Sequence, residues 1–308
     1  MTEVNLEALI GAGTHFGHLT SKWNPKMKPY IFMEKNGIHI IDLKKTIEGL
    51  ESALERVRSI VKDGGDILFV GTKKQAKDIL REEASRCGMF YVVERWLGGT
   101  LTNFSTIKRS IRRLKQLEKD STSGLYENLT KKEVLELERE REKLETLHSG
   151  IKDMKRYPEM LFVVDTELED IAVAEAHRLD IPVVALVDTN ADPEIVDYPI
   201  PGNDDSIRTI ALITRQISNA VLEARGKSAE AGDNLAATKV LADADLLEKS
   251  DYVTSEEEET SEEEVVTVEA EEVEKELEAG DEPEAAEEPE AVEEEDSGDD
   301  EDEKPASD

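Results

Sequence analysis

Residues 66–74 read Asp-Ile-Leu-Phe-Val-Gly-Thr-Lys-Lys (DILFVGTKK). A short, unbroken apolar run bounded by Asp66 and a glycine has strand length and no helical period, so Ile67-Leu68-Phe69-Val70 reads as a strand buried on both faces. Gly71-Thr72 then turns the chain into a helix from Lys73. The unit recurs downstream. Phe90 to Val93 is a further strand; Met160 to Val164 leads to a helix around Ile171–Leu179, and Pro182 to Val187 to a short segment at Tyr198 and a helix over Ser206–Arg225. Continuous apolar strands between amphipathic helices predict a parallel sheet covered on both faces.

Upstream, Val4, Leu6, Leu9 and Ile10 predict a short helix over 3–12. Thr14 to Lys28 is polar and aromatic, and Pro25 and Pro29 argue against regular structure there. Lys35-Asn36-Gly37 between Tyr30–Phe32 and Ile38–Ile41 is a hairpin turn signal. Asp42 is placed to cap a helix running to Lys62, with Ile47, Leu50, Leu54, Val57 and Val61 on one face.

Between the second and third strands the rhythm breaks. Residues 102–151 hold two helical patterns with no strand between them. Ile107, Ile111, Leu114 and Leu117 line the first; Val134, Leu137, Leu144 and Ile151 keep close to seven-residue spacing on the second. Ser121 to Asn128 connects them, and Thr130 with Glu133 has the spacing of a capping box. An antiparallel helical hairpin inserted in the α/β body, docking on a large partner, is the expectation.

The formal charge of −34 is unevenly distributed. Residues 1–227 hold 34 Lys and Arg against 37 Asp and Glu, a net of −3, whereas 228–308 hold 4 against 35, a net of −31. Two regions follow: an α/β domain over 1–227 and an acidic tail over 228–308. The tail, rich in Glu, Asp, Ala, Pro and Ser, buries too little apolar surface to offset ordering entropy and is expected to be disordered. Met1 to Gly13 lacks the basic and apolar regions of a secretory leader. Apolar runs such as Ile181–Val187 fall far short of the roughly 20 residues of a spanning helix. A lone cysteine, Cys87, excludes an internal disulfide and a Cys-based zinc knuckle. The body reads as a cytoplasmic protein without a membrane partner.

Two segments gather groups that suit RNA. Lys22, Trp23, Asn24, Lys26 and Lys28 combine cations for phosphate with aromatic and amide groups for exposed nucleotides; packing of Trp23 on the body is the structural alternative. Arg95, Trp96, Thr102 and Asn103 bracket Gly98-Gly99, where the backbone can approach a partner closely. Either Thr102 or Asn103 is placed to cap the following helix, whose first N–H groups suit a phosphate. That helix carries Lys108, Arg109, Arg112 and Arg113 at spacings that put paired cations on adjacent faces. Lys73 and Lys74 add a strand-to-helix junction that lacks the P-loop spacing.

Asp188, Asp204 and Asp205 follow strand ends and could converge on zinc or magnesium, with His15 or His18 completing a site; turn and cap roles compete with that reading. No cofactor is required by any motif. Nucleophile elbows and H-E-x-x-H helices do not occur, and Cys87 sits at the wrong end of its helix to lower a thiol pKa. A nucleotide-dependent enzyme built on Gly71–Lys74 and Asp188, and a protein scaffold built on the hairpin, are the rival readings.

Several strings resemble the bacterial form of the second protein of the small ribosomal subunit. They are His15-Phe16-Gly17-His18, Trp23 to Pro29, Phe69 to Lys73, Arg95 to Gly99 with Leu101-Thr102-Asn103, and Gly150 to Met154. Ile181-Pro182-Val183, Val187 to Asn190 and Ile200 to Asp205 complete an ordered match over about residues 3–226. The resemblance implies a flavodoxin-like (Rossmann-like) five-stranded parallel sheet with the helical hairpin inserted. It also implies a non-enzymatic place in the 30S subunit, on 16S rRNA. Neighbouring 30S ribosomal proteins, including the large mRNA-binding small-subunit protein one, would be partners. Zinc association in the family strengthens the Asp188, Asp204 and Asp205 option. The tail lies outside the resemblance, and Lys155-Arg156-Tyr157 stands where the family often has small residues.

Overall fold

The computed structural model describes residues 5–123, 126 and 129–226. The acidic tail expected over 228–308, and most of the connection between the two hairpin helices, lie outside the described residues. A short helix α1 (Leu6–Gly11), capped by the Asn5 side chain on Ala8 N, opens the described chain. It leads to strand β1 (Phe16–Leu19), a 3-10 turn over Pro25–Tyr30, and strands β2 (Ile31–Lys35) and β3 (Ile38–Ile41). The irregularity expected over 14–28 is therefore corrected. Proline nitrogens at 25 and 29 suit a 3-10 turn, and β1 exists because it pairs antiparallel with β3, a long-range contact without local periodicity. Asn36 and Gly37 both take positive φ, 55° and 74°, and close a two-residue hairpin loop between β2 and β3.

Helix α2 (Leu43–Lys62) starts at Asp42, whose carboxylate accepts from Lys44 N. The α/β body follows as β4 (Ile67–Val70), α3 (Lys74–Cys87), β5 (Phe90–Val92), α4 (Phe104–Thr122), α5 (Lys131–His148), β6 (Met160–Val164), α6 (Asp170–Arg178), β7 (Val183–Val187), β8 (Tyr198–Pro201) and α7 (Ile207–Ala224). The sheet order is β5-β4-β6-β7-β8, with every neighbouring pair parallel. Counted within this sheet alone the order is 2-1-3-4-5, that of flavodoxin-like doubly wound sheets. Its topological switch point lies between the carboxyl ends of β4 and β6.

Two cores follow from the pleat. Ile67, Phe69, Phe162, Leu186 and Ile200 face α2, α3 and α7, while Leu68, Val70, Leu161, Val163 and Ala185 face α6 and the base of α4. Phe104, Ile107 and Ile111 of α4 belong to the second core, whereas Leu114 and Leu117 are buried beyond it, against α5. Ser110 meets His148 and Arg113 meets Glu140, so the two helices run antiparallel. Val134, Leu137 and Leu144 are half-buried along the seam, and Thr130 with Glu133 forms the capping box. The Lys155–Tyr157 loop braces the hairpin base. Tyr157 packs on Phe104, and the Lys155 carbonyl accepts from Lys108 Nζ at 2.6 Å.

The outer edge of β8 is covered by α2. Gly202 N donates back to Val187 O, so residues of even number in this stretch point their nitrogens at β7, and Pro199 and Pro201 turn theirs outward. The Pro201 carbonyl accepts from Thr46 Oγ1 at 2.6 Å, and α2 approaches so closely that a Cβ on Gly49 would lie 2.4 Å from Pro199 O. Gly49→Ala must separate α2 from the edge strand, an overpacking loss of about 1–3 kcal/mol. Urea unfolding of the full chain checks it; a midpoint equal to wild type would show that the helix has slack there.

Candidate nucleic-acid interface and acidic cluster

Loops at the carboxyl edge of the sheet bring distant residues together. Thr189, after β7, anchors the 15–24 segment: its Oγ1 accepts from His18 N at 2.8 Å and its carbonyl from Asn24 N at 2.8 Å. A side chain at Gly17 would collide with Thr189, with Cγ2 2.6 Å from the added carbon. His18 is thereby placed over Asp188, with Nδ1 3.1 Å from Asp188 Oδ2 and Nε2 3.4 Å from Asp205 Oδ2. The Asp188 carboxylate raises His18 to about 9; burial opposes it, and the charges of Asp204 and Asp205 add to it.

Lys73, at the head of α3, lies across the switch point. Its Nζ meets Asp165 Oδ2 at 3.1 Å, Asp204 Oδ1 at 2.7 Å and Asp205 Oδ1 at 2.6 Å. Burial works against the ammonium, yet these carboxylates outweigh it and hold the amine above its ordinary range. Asp204 is fully buried, and burial together with Asp188 and Asp165 pushes it up to about 7 despite Lys73. At the same edge Thr72 N donates to Glu169 Oε1 at 2.7 Å. Carboxylates therefore line the Gly71–Lys74 turn, and the Thr72 amide that a nucleotide phosphate would use is taken by Glu169.

His18, Asp188 and Asp204 each present one ligand atom within 4.8 Å of the others. Asp204 Oδ2 and His18 Nδ1 are buried without a partner in hydrogen-bonding geometry among the described residues, so the His18–Asp188 approach is an ion contact rather than an aligned bond. One imidazole and two carboxylates, with two orphaned ligand atoms, fit a divalent ion such as zinc. Of the acidic residues singled out in the sequence, Asp188 and Asp204 converge. Asp205, half-exposed, bridges Lys73 and the far side of the His18 ring, and His18 rather than His15 completes the group. Asp188 also holds Thr189 N at 2.5 Å, whereas the cap of α7 is Ser206, not Asp204.

The sequence-selected cations divide by partner. Lys26 is tied to Asp192 and Glu194, each at 2.7 Å; Arg113 to Glu140; Lys108 to Lys155 O and the Phe104 face; and Lys73 to the acidic cluster. Lys22, Lys28, Lys74, Arg95 and Arg109 are exposed, and their side chains have no partner among the described residues. Arg112 is exposed and, among the described residues, its side chain bonds only the Lys108 carbonyl of its own helix. Trp23 is half-buried against His39 and Asn24 caps the 3-10 turn.

Trp96 is buried, and its indole N–H donates to Glu175 Oε1 at 3.2 Å. Glu175 was not singled out by the sequence reading, although its place beside Ala172 and Ala176 on the buried stripe of α6 is an anomaly visible there. Its carboxylate also accepts from Gly99 N at 2.6 Å, Leu101 N at 2.9 Å, and Thr102 N and Oγ1 at 2.9 and 3.0 Å. Burial alone would raise Glu175, but these donors together hold it below its ordinary range. Thr102 is thus engaged inward. Asn103 occupies the N-cap position of α4 without a side-chain cap bond, correcting the expected capping role of either residue.

Lys73→Met leaves adjoining carboxylates uncompensated at the switch point and should destabilise the chain by about 3–5 kcal/mol. Adding Asp204→Asn should recover part of that loss in urea titrations; a single variant as stable as wild type would remove the ammonium from this role.

No helix among the described residues is long and apolar enough to cross a membrane. A family model described as "Ribosomal protein S2" matches residues 9–224. It spans β1 to α7, including the hairpin and the acidic cluster, and the family is one of structural small-subunit ribosomal proteins rather than enzymes. The chain belongs to the ribosomal protein S2 family.

Proposed function

We propose that the protein is a structural constituent of the cytoplasmic small (30S) ribosomal subunit and binds 16S rRNA through a localised set of cations. The observation that carries this reading is that Lys22, Lys28, Lys74, Arg95 and Arg109 are exposed without a partner among the described residues, as Arg112 nearly is, on a body of near-neutral charge. Cations without internal partners are the ones that neutralise phosphates and release counterions at least cost. Trp23 and Trp96 hold the loops that present them. The tied cations, Lys26, Lys108 and Arg113, shape the interface rather than grip RNA.

Partner proteins are the second part of the reading. In the small sheet, Phe16 and Met33 both lie opposite Ile40, and Leu19 and Lys35 opposite Ile38, so one face carries Phe16, Leu19, Met33, Ile38 and Ile40, with Lys35 at its end. Phe16, Leu19 and Met33 are about half-exposed, at 48%, 51% and 48%. A contiguous apolar face of this kind supports contact with other small-subunit proteins, the large mRNA-binding protein one among them. A divalent ion held by His18, Asp188 and Asp204 would cross-link that sheet to the carboxyl edge of the main one and offset its carboxylate charge.

Replacing Arg95, Arg109 and Arg112 together with Glu should weaken 16S rRNA binding at least tenfold and flatten its salt dependence. Filter binding at several salt concentrations measures both, and unchanged binding would favour a protein scaffold. Deleting 228–308, with its 35 acidic and 4 basic residues, should raise non-specific RNA binding at low salt by removing a repulsive polyanion; equal binding with and without the tail would argue against that repulsion.

A further inference from the structure

The 96–102 loop folds around a carboxylate. Gly99, Leu101 and Thr102 turn their backbone N–H groups inward, as a nest does around a bound phosphate, and the anion they hold belongs to the protein. Gly99 makes the turn at φ +88°, where a Cβ would also sit 3.1 Å from Asn103 Cβ. Both Glu175 oxygens are used, one by Trp96 Nε1 and Gly99 N, the other by Leu101 N, Thr102 N and Thr102 Oγ1. Such a charge beside Ala172, Val173 and Ala176 would be strongly unfavourable without that full set of donors.

Two consequences bear on recognition. The amides that would otherwise cradle an RNA phosphate are occupied, so phosphate contact falls to side chains around the loop. Those side chains are carried on a frame with little freedom. Arg95 immediately precedes the anchored indole, and α4 with Arg109 and Arg112 begins directly after the anchored Thr102. Gly98 stands at the crown with open space around its Cα and no positive φ, so neither strain nor crowding within the chain calls for glycine there.

We propose that Glu175 is a positioning residue for RNA binding: its carboxylate fills the nest of the 96–102 loop and fixes Arg95 and the start of α4 in the geometry that meets RNA phosphates. This assignment rests on the RNA-binding reading above. Glu175 touches no RNA itself, and its charge is screened from the phosphates by the donors around it.

The test uses the full chain and a 16S rRNA transcript, with filter binding from about 50 to 200 mM salt. Glu175→Gln keeps the shape but turns an amide NH2 towards N–H donors. Trp96→Phe removes one donor and leaves the carboxylate in place. Gly49→Ala, at the opposite edge of the sheet order, controls for lost stability. Glu175→Gln should bind about tenfold more weakly, with a log–log salt slope shallower by about 1–2, the loss of one or two phosphate contacts. Trp96→Phe should shift in the same direction by a smaller amount, and Gly49→Ala should keep the wild-type slope. Wild-type affinity and slope in folded Glu175→Gln would overturn the assignment while leaving RNA binding intact. If that variant does not fold, Trp96→Phe decides: a shallower slope supports the assignment and an unchanged one overturns it. A wild-type chain with no salt-dependent binding would instead overturn the RNA reading, and this inference with it.

Discussion

Carboxylates of the α6 region meeting backbone amides organise the carboxyl edge of this sheet. Glu169, at the N-cap of α6, takes Thr72 N, and Glu175, two turns on, takes Gly99, Leu101 and Thr102. Each bond joins one element to a loop more than seventy residues away in the chain, and both carboxylates are buried, where an unsatisfied group would be unfavourable by about 1–3 kcal/mol. The loops that follow β4 and β5 are therefore fixed from a single helix. Everything mounted on them, from Lys73 to the root of the hairpin, takes its orientation from there.

The same edge shows how a common scaffold can be turned to a different use. At the switch point of a doubly wound sheet, helix N-termini and free amides ordinarily welcome an anion. Here Asp165, Asp188, Asp204 and Glu169 line that crevice and Lys73 neutralises part of it, so the crevice favours cations. The exposed cations without a partner among the described residues take no part in it.

Much of this architecture is legible in the sequence because its signals are local. The apolar runs of β4, β6 and β7, the Asn36-Gly37 turn, the Asp42 cap and the Thr130–Glu133 box each depend on neighbours within a few residues, and each appears where its pattern places it. What local pattern does not carry is pairing across the chain. β1 exists through β3, and His18 reaches Asp188 only because Thr189 anchors its loop. Trp96 reads as a candidate ligand contact until Glu175, 79 residues on, turns its indole inward. For the same reason sequence shows which residues are cationic but not which are already paired: Lys26 and Arg109 look alike until Asp192 and Glu194 close on one of them.

The seam between α2 and β8 bears on how the protein survives before it is assembled. A parallel sheet ends in strands whose open backbone can recruit another molecule, and a chain awaiting its ribonucleoprotein is exposed to that hazard. On the β8 side, proline nitrogens have nothing to donate, Thr46 occupies one outward carbonyl and the backbone of α2 shields the other at Gly49. A sixth strand finds no seat there, so newly made copies can accumulate beside one another without zipping together along that border.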